Sequence, residues 1–158
     1  CALLVDWIDR FPIASIEDPL AEDDHAGMQR FTDAVRDRVQ VVGDDYLVTD
    51  AGRTRRAADD RACTALLVKP NQIGTLSEAR TALSTAHDVG FGTIVSARSG
   101  ESEDVTIAHL AVGWSARQLK VGSFARSERM AKWNEVLRIE EAIGDNGSYA
   151  GRRPLPGC

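Results

Sequence analysis

Glu17 and Asp18 follow Ile16, Asp44 and Asp45 follow Val42-Gly43, and Lys69 follows Leu66-Leu67-Val68. Arg98 and Ser99 stand just after Ile94-Val95-Ser96, and Lys120 follows Leu119. One short apolar run after another thus stops at a charged or hydroxyl residue. Glu17 and Asp44 offer hard carboxylate oxygens, and Mg²⁺ commonly takes one or two of these and fills its shell with water and substrate oxygens. Lys69 and Lys120, set beside Arg98 and a divalent cation, would have their ammonium forms disfavoured by like charge. A lysine so placed can act as a base near neutral pH. Proton abstraction next to a carboxylate creates a doubly charged ene-diolate, which the concentrated positive charge of a metal and Lys or Arg stabilises.

Such residues meet only if the elements before them run side by side. Short apolar runs alternate with longer amphipathic stretches along the whole chain, the pattern of successive βα units. Strands are expected over 12–16, 39–42, 65–68, 92–95 and 118–121, and helices over 2–10, 25–38, 50–60, 75–89, 102–114 and 127–143. Thr75 with Glu78 and Ser127 ahead of Met130 read as helix starts, and Gly90 reads as a helix stop. In a parallel α/β barrel the strand ends share one rim, where the active site is built, and the rim candidates recur at roughly 22 to 29 residues, as a βα repeat requires. The reading is an α/β barrel portion over 1–144 with an irregular tail over 145–158, where Asp, Asn, Gly, Arg and Pro take over.

Composition narrows the class of function. With 158 residues, 43% of them hydrophobic, the chain can bury a core. A net charge of -5 spread over mixed acids and bases, with little aromatic interleaving, lacks the footprint of a nucleic-acid binder. No apolar run approaches the roughly 18 residues that span a bilayer. Cys1, Cys63 and Cys158 have neither metal-ligand nor redox spacing, so a reducing cytoplasm is the expected compartment. The start at Cys1, inside the first expected helix, suggests a processed or incomplete chain.

Five segments taken together resemble the enolase family: Ser15-Ile16-Glu17-Asp18-Pro19, Val42-Gly43-Asp44-Asp45, Leu67-Val68-Lys69-Pro70-Asn71-Gln72-Ile73-Gly74-Thr75, Ser96-Ala97-Arg98-Ser99-Gly100-Glu101, and Arg126-Ser127-Glu128-Arg129 with Arg138-Ile139-Glu140-Glu141. The resemblance spans essentially the whole chain, in the family's order and spacing. It implies about five βα units from the C-terminal part of an enolase-type (β/α)8 TIM barrel, and a Mg²⁺-dependent cytoplasmic lyase of glycolysis, phosphopyruvate hydratase-like. By position, it implies that Glu17 and Asp44 are two of three metal ligands and that Lys69 removes the C2 proton of 2-phosphoglycerate on the way to phosphoenolpyruvate. Lys120 would meet the substrate carboxylate and help hold Lys69 unprotonated, while Arg98 and Ser99 would bind phosphate and the shell of a second metal. The third ligand and the acids assisting hydroxyl departure would lie upstream, and the full-length parent would be a homodimer.

Two departures stand out. The family has histidine where Ala97 stands, and a Thr-Gly-Ala-Pro pattern where Val121-Gly122-Ser123-Phe124 stands. They keep metal ligands and base but alter the pocket wall. An enolase paralogue of phosphonate antibiotic biosynthesis, similar to carboxyphosphonoenolpyruvate synthase, is the competing enzyme reading. A non-catalytic enolase-like fragment is the competing reading of another class, because five strands do not close an eight-stranded barrel.

The remaining polar residues have plainer expectations. Asp18 and Asp45 suit loop caps or rim salt bridges. His25, His87 and His109 suit surface or interhelical hydrogen bonds, and Trp114 and Trp133 suit packing against the barrel. Glu128, Arg129, Glu140 and Glu141 read as a charged helix face.

Overall fold

A computed structural model describes residues 1–156. Five strands, β1 (Ser15–Glu17), β2 (Gln40–Gly43), β3 (Ala65–Val68), β4 (Gly92–Ser96) and β5 (Leu119–Lys120), form one sheet in sequence order. Every neighbouring pair is parallel. The helices are α1 (Ala2–Arg10), α2 (His25–Val35), α3 (Ala51–Asp59), α4 (Pro70–Ile73), α5 (Leu76–Asp88), α6 (Thr106–Gly113) and α7 (Ser127–Ile143). Sequential parallel pairing with helical crossovers is the arrangement of a (β/α) barrel, here as a curled, open portion of one.

The central strands are the buried ones, as a parallel sheet covered on both faces requires, and β3, Ala-Leu-Leu-Val, is continuously apolar. All four residues of β2 and of β3 are buried. Alternation sorts their side chains. Val41, Leu66, Val68 and Val95 pack with Met28, Phe31, Val35, Leu83 and other helical residues, whereas Val42, Ala65 and Leu67 form a separate cluster with Ile94 on the opposite, concave face.

Helix starts follow local chemistry. Asp24 accepts from the Gly27 amide at the start of α2, Asp50 from the Arg53 amide at α3, and Thr75 from the Glu78 amide at α5. Gly90, at φ +78°, takes the left-handed conformation that ends α5.

Several boundaries differ from expectation. β1 begins at Ser15 rather than residue 12, since Pro12 has no amide hydrogen for the ladder, and it runs on through Glu17, which pairs with Val42. β5 contains only Leu119 and Lys120, between positive-φ residues Arg117 and Gly122. α4 is an element the sequence reading lacks; Pro70 starts it and Gly74, at φ +112°, ends it. α6 starts at Thr106 rather than 102, because the Asp104 carboxylate turns back to accept from the Thr106 amide at 2.9 Å. Ser127 is the first residue of α7, not its cap; Arg126 holds the cap position without a side-chain bond.

After α7 a single 3-10 turn covers Gly144–Asn146, and residues 147–156 hold no helix or strand. Cys1 is an exposed and Cys63 a buried free thiol, with burial pushing the Cys63 thiol well up. Cys158 lies outside the described residues.

Candidate active site

The alternation that buries Val42 and Leu67 on the concave face also directs the residues after them. Glu17 is in register with Val42, Asp44 lies two residues beyond Val42, Lys69 two beyond Leu67, and Lys120 pairs with Ser96, two beyond Ile94. An even step along a strand returns to the same face, so Glu17, Asp44, Lys69 and Lys120 project together at the C-terminal rim.

Their side chains meet as two ion pairs. Lys69 Nζ donates to Asp44 Oδ2 at 2.5 Å, with side chains only 11% and 9% exposed. Lys120 Nζ donates to both Glu17 oxygens, at 2.7 and 2.6 Å, with side chains 43% and 33% exposed. The pairs are adjacent. Burial raises the Glu17 carboxyl above the ordinary range, Lys120 opposes this, and the neighbouring Asp44 carboxyl pushes it further up.

Lys120, expected beside Lys69 and the substrate carboxylate, bonds Glu17, while Lys69 bonds Asp44. Each lysine is matched to its own carboxylate.

Asp44 is held from below. Asp18, at φ +39°, accepts the Asp44 and Asp45 amides on its two carboxylate oxygens at 2.9 and 2.8 Å. Both Asp18 oxygens are thereby engaged in fixing the turn, as a loop cap. Gly43 is needed just before, since a β-carbon there would lie 2.5 Å from the Leu47 γ-carbon. Thr49 reaches across from the β2–α3 loop to accept the Lys69 amide at 2.9 Å.

Asp44 Oδ1 is buried and has no hydrogen-bond partner among the described residues. A buried acceptor left unmatched is costly, and a hard cation would satisfy it. Oxygens of Asp18, Asp44 and Asp45 also cluster within 4.8 Å. Glu17 is not in that cluster; the unmatched hard oxygen of Asp44 fits a divalent cation such as Mg²⁺.

Arg98 and Ser99 sit on the loop after β4, next to β5, where the Ala97 amide donates to the Lys120 carbonyl at 2.9 Å. Among the described residues their side chains make no hydrogen bond with the other four rim residues. Their backbone is held instead by Arg129, read from the sequence as part of a charged helix face. Arg129 of α7 donates to the carbonyls of Arg98, Ser99 and Val121, and the neighbouring Lys132, also of α7, is fully buried. Partners that are backbone carbonyls leave no trace in the sequence.

The histidines behave as polar fasteners away from the rim. His25 bonds Tyr46 and Asp60, His87 bonds Thr93, and His109 bonds Glu135 across α6 and α7. Tyr46 is pushed up to about 12, mainly by burial. Trp114 packs against the core, and Trp133 donates to the Ser123 carbonyl and stacks on Phe124. No described helix is long and apolar enough to cross a membrane.

A parallel β/α sheet with carboxylates and lysines converging at the C-terminal ends of its strands defines the (β/α)-barrel class, with its chemistry at one rim. Residues 1–155 match the enolase C-terminal TIM barrel domain, and the chain belongs to that family.

Proposed function

We propose that this chain supplies metal-holding, proton-abstracting and substrate-binding groups to a Mg²⁺-dependent lyase that interconverts 2-phosphoglycerate and phosphoenolpyruvate. The observation that carries the reading is the adjacency of the Lys69–Asp44 and Lys120–Glu17 pairs around a buried, unmatched Asp44 oxygen. Membership of the enolase C-terminal barrel family supports an enolase-type lyase.

Glu17 and Asp44 would hold the cation. Bound Mg²⁺ would supply Lewis acidity toward the substrate carboxylate. Lys69 Nζ lies 2.5 Å from Asp44 Oδ2, so base and metal-holding carboxylate would be neighbours. As a neutral amine, its ammonium proton first released to solvent, Lys69 Nζ would accept the C2 proton. Lys120 faces the substrate carboxylate, and Arg98 with Ser99 receives the phosphate.

The test follows the C2 proton of 2-phosphoglycerate in deuterated solvent by NMR. Exchange should require Mg²⁺ and vanish in Lys69→Ala; exchange that persists in the variant removes Lys69 from the role of base.

Ala97 favours a second reading, an enolase paralogue acting on another phosphorylated three-carbon acid. Ala97 is 8% exposed and lies between the β4 end and Arg98, and its methyl group cannot hydrogen-bond phosphate or hydroxyl. Phe124, in the other departing segment, is 77% exposed. Normal turnover of 2-phosphoglycerate defeats this reading, and turnover gained only on Ala97→His supports it.

A further inference from the structure

The first turns of α7 grip the loop that follows β4. One terminal nitrogen of Arg129 donates to the Arg98 and Val121 carbonyls, and the other donates to the Ser99 carbonyl, all at 2.8 Å. Lys132, three residues on, is 0% exposed. Its ammonium donates to the Ser102 carbonyl at 2.6 Å, to the Glu128 carbonyl at 2.9 Å and to Glu101 Oε2 at 2.8 Å. An ammonium has three hydrogens, so each is used. Glu101 then accepts the Arg98 amide on its other oxygen at 2.6 Å.

Burying an ammonium is expensive, and an apolar side chain of similar size often packs as well or better. Satisfying it with one carbonyl of its own helix, Glu128, and with the loop's Ser102 carbonyl and Glu101 carboxylate makes sense if the loop geometry is what is being fixed. The residues fixed are informative. Arg98 and Ser99 are oriented by their backbone, since among the described residues neither side chain has a hydrogen bond of its own.

Arg129 also spans two rim segments, because the same nitrogen that holds the Arg98 carbonyl holds that of Val121, the residue after Lys120. A planar guanidinium can fix two loops at a set separation in a way an ammonium cannot.

We propose that Arg129 and Lys132 are positioning residues: from α7 they set the backbone of residues 98–102 so that Arg98 and Ser99 meet the substrate phosphate at a fixed distance from Lys120. This rests on the reading of Arg98 and Ser99 as the phosphate site. Neither positioning residue touches Glu17 or Asp44, so the effect should fall on the phosphate and spare the cation.

Calorimetric titration of the protein with Mg²⁺, then with 2-phosphoglycerate in saturating Mg²⁺, tests this, alongside amide hydrogen exchange. In Arg129→Lys the affinity for 2-phosphoglycerate should fall at least about tenfold, since a misplacement of ~1 Å can cost about 100-fold. Mg²⁺ affinity should be unchanged, and the amides of residues 98–102 should exchange faster while those of β2 and β3 do not. Glu101→Gln, which keeps an acceptor for the Arg98 amide but loses the charge facing Lys132, should show a smaller loss of the same kind.

Two results overturn the proposal: faster loop exchange with unchanged 2-phosphoglycerate affinity, or parallel loss of both affinities with faster exchange in β2 and β3. Arg98→Ala separates the layers. If it leaves 2-phosphoglycerate affinity intact, the phosphate reading falls and the proposal with it. If it weakens binding while Arg129→Lys does not, only the positioning claim falls.

Discussion

Lys120, on the last strand of the sheet, donates to both carboxylate oxygens of Glu17, on the first strand, 103 residues away in sequence. The contact ties the two open sides of the curled sheet together at the rim. With side chains 43% and 33% exposed, such a pair contributes about 0 to 1 kcal/mol to stability. Lys120→Met should therefore shift the urea-unfolding free energy by no more than about 1 kcal/mol. A larger loss would show that the pair holds the fold together and does more than place two charges.

The Lys69–Asp44 pair belongs to the opposite regime. Both side chains are about nine-tenths buried, and removing one partner of such a pair leaves a buried charge unmatched. Asp44→Asn should destabilise the protein by about 3 to 5 kcal/mol in urea unfolding. The double variant Asp44→Asn, Lys69→Met should recover part of that loss, since it removes both charges. Mg²⁺ affinity, read separately by calorimetry, should be lost in the single and the double variant alike.

Glu17 gives the pH dependence. Burial, and secondarily the Asp44 carboxyl, hold it above its ordinary value of 4.5 against the opposing pull of Lys120. In the interval above 4.5 the folded chain keeps a proton that the unfolded chain has released. Bound protons are then more numerous in the folded state, so the Glu17 contribution to stability declines as pH rises through that interval and levels off beyond the raised value. Thermal melts across the interval should show this decline, and Glu17→Gln should flatten it. A decline of equal size in the variant would assign it to another group.

How much of this was legible in the sequence follows from what each residue touches. Glu17, Asp44, Lys69 and Lys120 were readable because a charge that ends an apolar strand is conspicuous, and because strand alternation decides its face. Arg129 and Lys132 were not, since helix periodicity cannot distinguish a solvated cation from one that donates to loop carbonyls. The true start of α6 was hidden for a related reason: Ser102 reads as a helix start, but its carbonyl is taken by Lys132 and the helix begins only at Thr106, whose amide donates to Asp104. α4 did leave signals, Pro70 and Gly74, yet a single turn is too short to show an apolar period.

Thr49 makes the last case. It is fully buried and lies with Val48 in consecutive left-handed conformations, φ +57° and +47°. For β-branched residues that backbone costs roughly 1 to 2 kcal/mol each. The surroundings must repay it. The Thr49 hydroxyl accepts the Lys69 amide at 2.9 Å and lies 3.2 Å from the Leu67 carbonyl and 3.1 Å from Gln72 Oε1, so its hydrogen has an acceptor in either direction. Thr49→Val keeps shape and strain but leaves the Lys69 amide and the Leu67 carbonyl without this partner, at about 1 to 3 kcal/mol. Thr49→Ser keeps the hydroxyl and should lose less. If the hydroxyl sets the Lys69 backbone, Thr49→Val should also slow C2 proton exchange of 2-phosphoglycerate while Thr49→Ser stays near wild type. Equal exchange rates in the two variants would reduce Thr49 to a packing residue.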